Sequence, residues 1–437
     1  MPLATRFLPS TVYYGWYIAV ACAVFSFVGV GVGYYGLAVF LKPLKDEHGW
    51  STTIVSGATG LYFSVSGLAA AFVGPRVDRY GPLRFMGIGV VFCAGLASLI
   101  GFVDQIWQLY AVYIALGLAS GVSTGVTTNA IMTRWFIRRR AFAMSISSTG
   151  VSVGGVVLSP LISKLIDIGD VRLAAPTMGL LVLVVAVPVV LLVLSPSPAQ
   201  MGLKPDGNPP PPEPAVQRSH LLSEAWQTRR WQFREVRRTI GFWAILLAFL
   251  LALTAQTGFV FHQISFLEDR FGSRDTAAFA LSVTAFGSIV ARLIVGRFAD
   301  MVDKRKLTVG LFVVQGTAIL LIIHTSNIPL TWLLTLIFGF TIGNIYMMQS
   351  LLVSELFGMV SFGAVFGVVS MVGQVGAGGG PFGIGFLHDA TGGYGIPFTV
   401  TACLAYVAAA VVLFARPSRQ RGEAIVSDSL VAAPGGE

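Results

Sequence analysis

Apolar positions in this chain fill unbroken runs of about twenty residues or more, separated by short polar turns, instead of alternating with polar ones. A hydrocarbon core roughly 30 Å thick demands such a run of a helix that rises about 1.5 Å per residue. Runs of this kind lie at 15–41, 51–75, 82–102, 107–133, 141–167 and 173–194, and again at 240–267, 276–299, 307–324, 329–353, 361–387 and 394–415. The pattern predicts an all-α membrane protein with twelve transmembrane helices in two six-helix bundles. The bundles fall at 1–194 and 240–416, with a connecting segment at 195–239 and a polar tail at 417–437. The first run is too long for a signal-peptide core and precedes no cleavage site, so it reads as an uncleaved span.

Composition agrees. Hydrophobic residues make up 55% and charged ones only 11%, which excludes an ordinary soluble domain. The net charge of +9 could by itself suggest a nucleic-acid partner. Its distribution excludes that: with both termini in the cytoplasm, 22 Lys and Arg fall on the inner side and six on the outer, leaving Arg292 alone within a span. That asymmetry is the positive-inside rule, and it predicts a multi-pass protein of the cell's inner (plasma) membrane. Cys22, Cys93 and Cys403 lie inside apolar runs, where they pack as small hydrophobes, and no cluster of metal ligands or cofactor motif is present. No cofactor is expected, and the chain is taken to work as a monomer.

The connecting segment contains the prolines 209–212, which suit a stiff linker, followed by a basic and aromatic stretch. Leu222, Trp226, Phe233 and Val236 could form the apolar face of a helix lying in the headgroup region. A solvated linker is the alternative.

A repeated device links the two halves. Gly74, Arg76, Asp78, Arg79, Gly81 and Arg84 follow the second span, and Gly296, Arg297, Asp300, Lys304 and Arg305 follow the eighth. A carboxylate beside arginines at a helix end can clasp neighbouring helices and must release them when one bundle rocks against the other. A plain helix-end anchor is the alternative for each aspartate. The paired motif resembles the loop signature of the major facilitator superfamily.

A narrower resemblance rests on Arg134, Trp135, Phe136 and Arg138 to Arg140, leading into Gly150, Gly154, Gly155 and Pro160. With Tyr14–Trp16, Glu355–Gly358 and the stretch from Gly380 to Gly392, it is similar to bacterial members of the monocarboxylate transporter family and their oxalate–formate relatives. Asp78, Arg79, Asp300, Arg138 and Arg139 are the expected gating residues. The glycines of the fifth and eleventh spans suit close or bending helices around a central pathway.

Arg292 is the candidate binding residue. An arginine at a helix centre is unfavourable by roughly 2.5–3.5 kcal/mol, so it needs a purpose. Its fork cannot shed its proton and matches a carboxylate. Pairing with a structural carboxylate is the alternative, although no Asp or Glu stands near the middle of any span. The family resemblance implies that this eighth-span arginine meets the substrate carboxylate. It also exposes two departures: Ser288 stands where mammalian members carry a proton-coupling aspartate, and 363–387 lacks the eleventh-span lysine of oxalate–formate exchangers. One fixed charge points to a monoanion.

His262, towards the outer end of the seventh span, is the candidate proton carrier, with a neutral interfacial histidine as the alternative. Asn344, Tyr346 and Gln349 of the tenth span and Thr124, Thr128 and Asn129 of the fourth are candidate wall residues that could instead only join helices. Gln374 and Tyr34 are further polar positions. The reading is proton-coupled symport of a small monocarboxylate such as L-lactate or pyruvate, with the lipid bilayer, the anion and the proton as partners. An organic-anion exchanger without proton coupling is the second reading, and a membrane organic-acid sensor a third. No nucleophile, paired-carboxylate or metal constellation supports an enzyme.

Overall fold

The computed structural model describes residues 12–136, 139–207, 231–298, 302–357 and 362–416, and every regular element among them is helical. Eleven runs are long and apolar enough to cross a bilayer. The longest, Phe142–Val193, holds two spans, because Gly169 and Asp170 leave helical geometry and Asp170 takes φ 57°. The described residues therefore make twelve crossings, and successive turns alternate between an odd-turn and an even-turn face.

Span 1 runs from Tyr14–Gly31 through a π-helical stretch, Val32–Gly36, into Leu37–His48. It outlasts its apolar run by seven residues, since Lys42, Lys45, Asp46 and Glu47 continue the helix beyond the greasy part until Gly49, at φ 65°, turns the chain. Span 2 is Thr52–Tyr80, started by the Ser51 hydroxyl accepting from the Ile54 amide, and span 3 is Pro82–Leu99. Span 4 breaks at Thr124 into Ile106–Ser123 and Gly125–Trp135, where one uninterrupted helix was expected. At the break Thr124 and Thr127 donate to the Ser120 and Ser123 carbonyls at 2.8 and 2.6 Å, back-bonds of the kind that bend a helix. Spans 5 and 6 share Arg140–Pro188.

The second half repeats the scheme with Ile240–Phe271, Arg274–Phe298, Lys304–His324, Ile328–Phe357, Phe362–Thr391 and Gly395–Val412 as spans 7 to 12. Asp303 caps span 9, and the Lys306 and Arg305 amides hold its carboxyl below the usual carboxylate range. Small residues set the helix spacing. Gly154 lies against the Gly31 backbone, so a Cβ there would sit 2.8 Å from the Gly31 Cα, and Gly376 and Gly380 similarly press span 11 onto span 7. Span 2 packs on span 11 and span 5 on span 8, which joins the halves.

Between the halves, Trp135 donates to the Ser195 carbonyl at 2.9 Å and the Tyr13 hydroxyl to the Lys204 carbonyl at 3.0 Å, so the start of the connecting segment docks on the first six spans. Leu222 and Trp226 lie outside the described residues. Phe233–Val236 is a single turn whose Val236 is buried in the protein and whose Phe233 is half exposed.

Candidate functional site

Arg292 is 7% exposed and lies among spans 1, 5, 8 and 10. Its Nη1 donates to the Ser148 carbonyl of span 5. Its guanidinium rests on Gly343 of span 10, where a Cβ would stand 2.6 Å from Cζ. Among the described residues its Nε has no hydrogen-bond partner. The titratable groups near enough to interact with it electrostatically are the phenols Tyr34, Tyr35 and Tyr346, and among the described residues no Asp or Glu pairs with it. The structural-carboxylate alternative therefore has no support in these residues. Ser288, one turn further, accepts from Ser152 at 3.2 Å in a contact buried between spans 8 and 5.

An aromatic layer covers this centre. Tyr34 meets Tyr35, Phe63 and Phe261 with ring centroids 5.0, 5.7 and 5.5 Å apart, and Phe63 meets Phe261 at 5.4 Å. Spans 1 and 2 of the first half and span 7 of the second thus close over one point. The Tyr34 hydroxyl is buried without a hydrogen-bond partner among the described residues.

The odd-turn face beyond that layer is sealed across the halves. Lys42 reaches Asp269 at 2.7 Å and Glu268 at 3.4 Å, and Arg274 reaches Asp167 at 3.1 Å. Asp389 at the end of span 11 takes the Thr53 amide at 2.8 Å and the Thr53 hydroxyl at 2.6 Å, capping span 2 from the opposite half. His262 belongs to this seal. It is fully buried, with Nε2 3.0 Å from the Pro381 carbonyl and 3.2 Å from Ser56, and Nδ1 3.3 Å from the Tyr394 hydroxyl. A carbonyl only accepts, so Nε2 carries the proton and neutral Nδ1 accepts from Tyr394. Arg292 is not among the charged groups that bear on His262.

The other expected wall residues are dispersed. Tyr346 joins the Arg292 centre. Asn344 is buried, donating to its own helix at Phe340 with Oδ1 unpartnered. Thr128 bonds back to its own helix at Gly125 and Asn129 is exposed, and among the described residues no hydrogen bond ties either to Arg292. Gln349 donates to the Val369 carbonyl at 3.3 Å, joining spans 10 and 11. Of the expected gating residues, Arg79 is exposed with its guanidinium 5.4 Å from the Tyr80 ring, and the Arg139 amide faces Asp206 at 3.4 Å. Asp300, Arg138 and the Asp78 side chain lie outside the described residues. Reading the sequence missed Tyr35, Ser148 and the Asp389–Thr53 cap. Only the tyrosine pair set among Gly33 and Gly36 in an apolar span offered a signal.

The model of the Major Facilitator Superfamily matches residues 21–381 and 263–431. The chain belongs to this superfamily. It is 29% identical over 157 residues to an oxalate:formate antiporter of Oxalobacter formigenes, covering 35% of this chain and 37% of that one. It is 26% identical over 340 residues to monocarboxylate transporter 13 of Bos taurus, covering 77% and 74%. The fold is similar to that of a bacterial homologue of the human lysosomal transporter Spinster, with TM-score 0.64, 16% identity and coverage of 93% and 97%. The all-helical membrane fold read from hydropathy, and the facilitator family implied by the paired loop motifs, are both observed.

Proposed function

We propose that this facilitator carries small monocarboxylate anions across the plasma membrane by alternating access, in symport with a proton. The observation that carries the reading is a buried guanidinium with a free Nε, no carboxylate partner among the described residues, and phenols around it. A carboxyl group titrating near about 4 is ionised at neutral pH, and the fork of Arg292 matches it in geometry and charge. Similarity to a monocarboxylate transporter and an oxalate:formate antiporter supports an anionic cargo.

In this reading the even-turn face, where basic residues gather, is cytoplasmic with both termini, and the sealed face is outside. The two six-span halves, 1–194 and 240–416, rock about Arg292 as a monomer, joined by 195–239. The motif residues Asp78, Arg79, Asp300, Arg138 and Arg139 gate the cytoplasmic side. The proton rides on the substrate or on His262, which links both halves at the seal. From His262 to the level of Arg292 is about 11 Å along the helices, so a proton on the histidine governs the seal without touching the anion.

Labelled lactate uptake into proteoliposomes, at matched membrane potential with and without an inward proton gradient, tests this. The gradient drives accumulation in the parent, and Arg292→Ala abolishes it. Uptake in Arg292→Ala equal to the parent's would overturn the site. The likeness to an antiporter favours exchange without proton coupling as the second reading. Uptake that ignores the proton gradient but follows a counter-gradient of another acid would establish it.

A further inference from the structure

One buried side chain near the centre is wholly without partners. Gln256, midway along span 7, is 0% exposed, and among the described residues neither its Nε2 nor its Oε1 finds a hydrogen bond. An amide buried in that state is costly, and a native chain keeps one only where something else satisfies it.

The helix register places it. Gln263 donates to Thr284 of span 8 at 3.1 Å. Gln256 precedes Gln263 by seven residues, nearly two turns, so it returns to the same face about 10 Å nearer the even-turn side. Span 8 runs antiparallel, and seven residues beyond Thr284 comes Ala291, next to Arg292. By this register the orphaned amide comes to the height of Arg292, whose Nε is without a partner among the described residues, and the Tyr34 hydroxyl, likewise unpartnered there, neighbours the same arginine.

We infer that Gln256 reads a hydroxyl group on a short acid whose carboxylate rests on Arg292, making hydroxy monocarboxylates the favoured substrate class. This rests on Arg292 being the carboxylate site. A hydroxyl donates to Oε1 and accepts from Nε2, satisfying both orphans at once. A ketone satisfies Nε2 alone. An unsubstituted alkyl acid satisfies neither and leaves the amide buried and unpaired.

Three acids of equal carbon number separate these cases. Uptake of labelled lactate into proteoliposomes is competed with unlabelled lactate, pyruvate or propionate, for the parent, Gln256→Leu and Arg292→Ala. In the parent, lactate competes at concentrations about tenfold or more below propionate, with pyruvate between them. In Gln256→Leu the three converge. Because each ratio is taken within one variant, a lower protein yield leaves it unaffected, and Gln256→Met repeats the test should leucine fail to fold. A parent that accepts propionate as readily as lactate overturns the inference without any variant, as does a ratio unchanged in Gln256→Leu. No uptake of any acid, or Arg292→Ala behaving like the parent, overturns the carboxylate site and this inference with it.

Discussion

Gly343 lets the Arg292 guanidinium lie against span 10, because any Cβ there would occupy its place. The group displaced is the end of a flexible side chain, so Gly343→Ala should fold while moving the guanidinium proposed to bind the carboxylate. A misplacement of about 1 Å in a binding group can cost up to roughly a hundredfold, so the KM for lactate should rise at least about tenfold. Gly379→Ala is the control, since nothing lies within 4 Å of a Cβ at that position. A KM for Gly343→Ala equal to that of Gly379→Ala would sink the placement. At this scale the sequence was legible where a residue broke its surroundings: Arg292 stood out as a fixed charge in an apolar run. The Ser148 carbonyl that holds it did not, because a backbone acceptor leaves no mark in side-chain identity. Thr128 was ambiguous for a related reason. A hydroxyl in an apolar span serves its own helix as readily as a cavity, and sequence does not show the bond that Thr128 makes to Gly125.

Span 2 begins on a carboxylate from the opposite half. Asp389 accepts the Thr53 amide within the first turn, in addition to the Ser51 cap, and so stabilises the helix start only while the two halves touch. Asp389→Ala should therefore weaken the sealed state specifically. Losing such a cap costs about 1 kcal/mol, a shift of roughly fivefold toward opening of the odd-turn face. A cysteine at Ser64, whose hydroxyl lies beside Gly378 of span 11, reports it once Cys22, Cys93 and Cys403 are replaced by alanine. Its labelling by an impermeant maleimide added from that face should quicken about fivefold in Asp389→Ala; an unchanged rate would deny the cap a role in sealing. Elements themselves were largely legible, since apolar runs and turn residues set eleven of the helical runs and the Gly169–Asp170 break divides the twelfth crossing from its neighbour. The tail of span 1 was not, because hydropathy follows the bilayer while a helix continues until a residue such as Gly49 ends it.

Across the whole molecule, alternating access requires a moment when both faces are closed, and the charge state of the centre at that moment sets the speed of return. Here the sealed face is held by ion pairs at Lys42 and Arg274, and the aromatic layer of Tyr34, Phe63 and Phe261 leaves Arg292 nearly water-free. With a carboxylate bound, the buried charge is paired. Without it, the Ser148 carbonyl and neighbouring phenols solvate the guanidinium only in part, and closing over an unpaired charge costs more. If that difference retains even about 1.4 kcal/mol, the loaded carrier turns over roughly ten times faster than the empty one. Efflux of labelled lactate from proteoliposomes should accordingly accelerate about tenfold when unlabelled lactate is supplied outside. Arg292→Gln removes the charge that penalises empty closure, so whatever efflux it retains should lose this acceleration. Equal efflux from the parent with and without external lactate would mean that the empty site closes as easily as the loaded one, and that the guanidinium is neutralised by something other than its cargo.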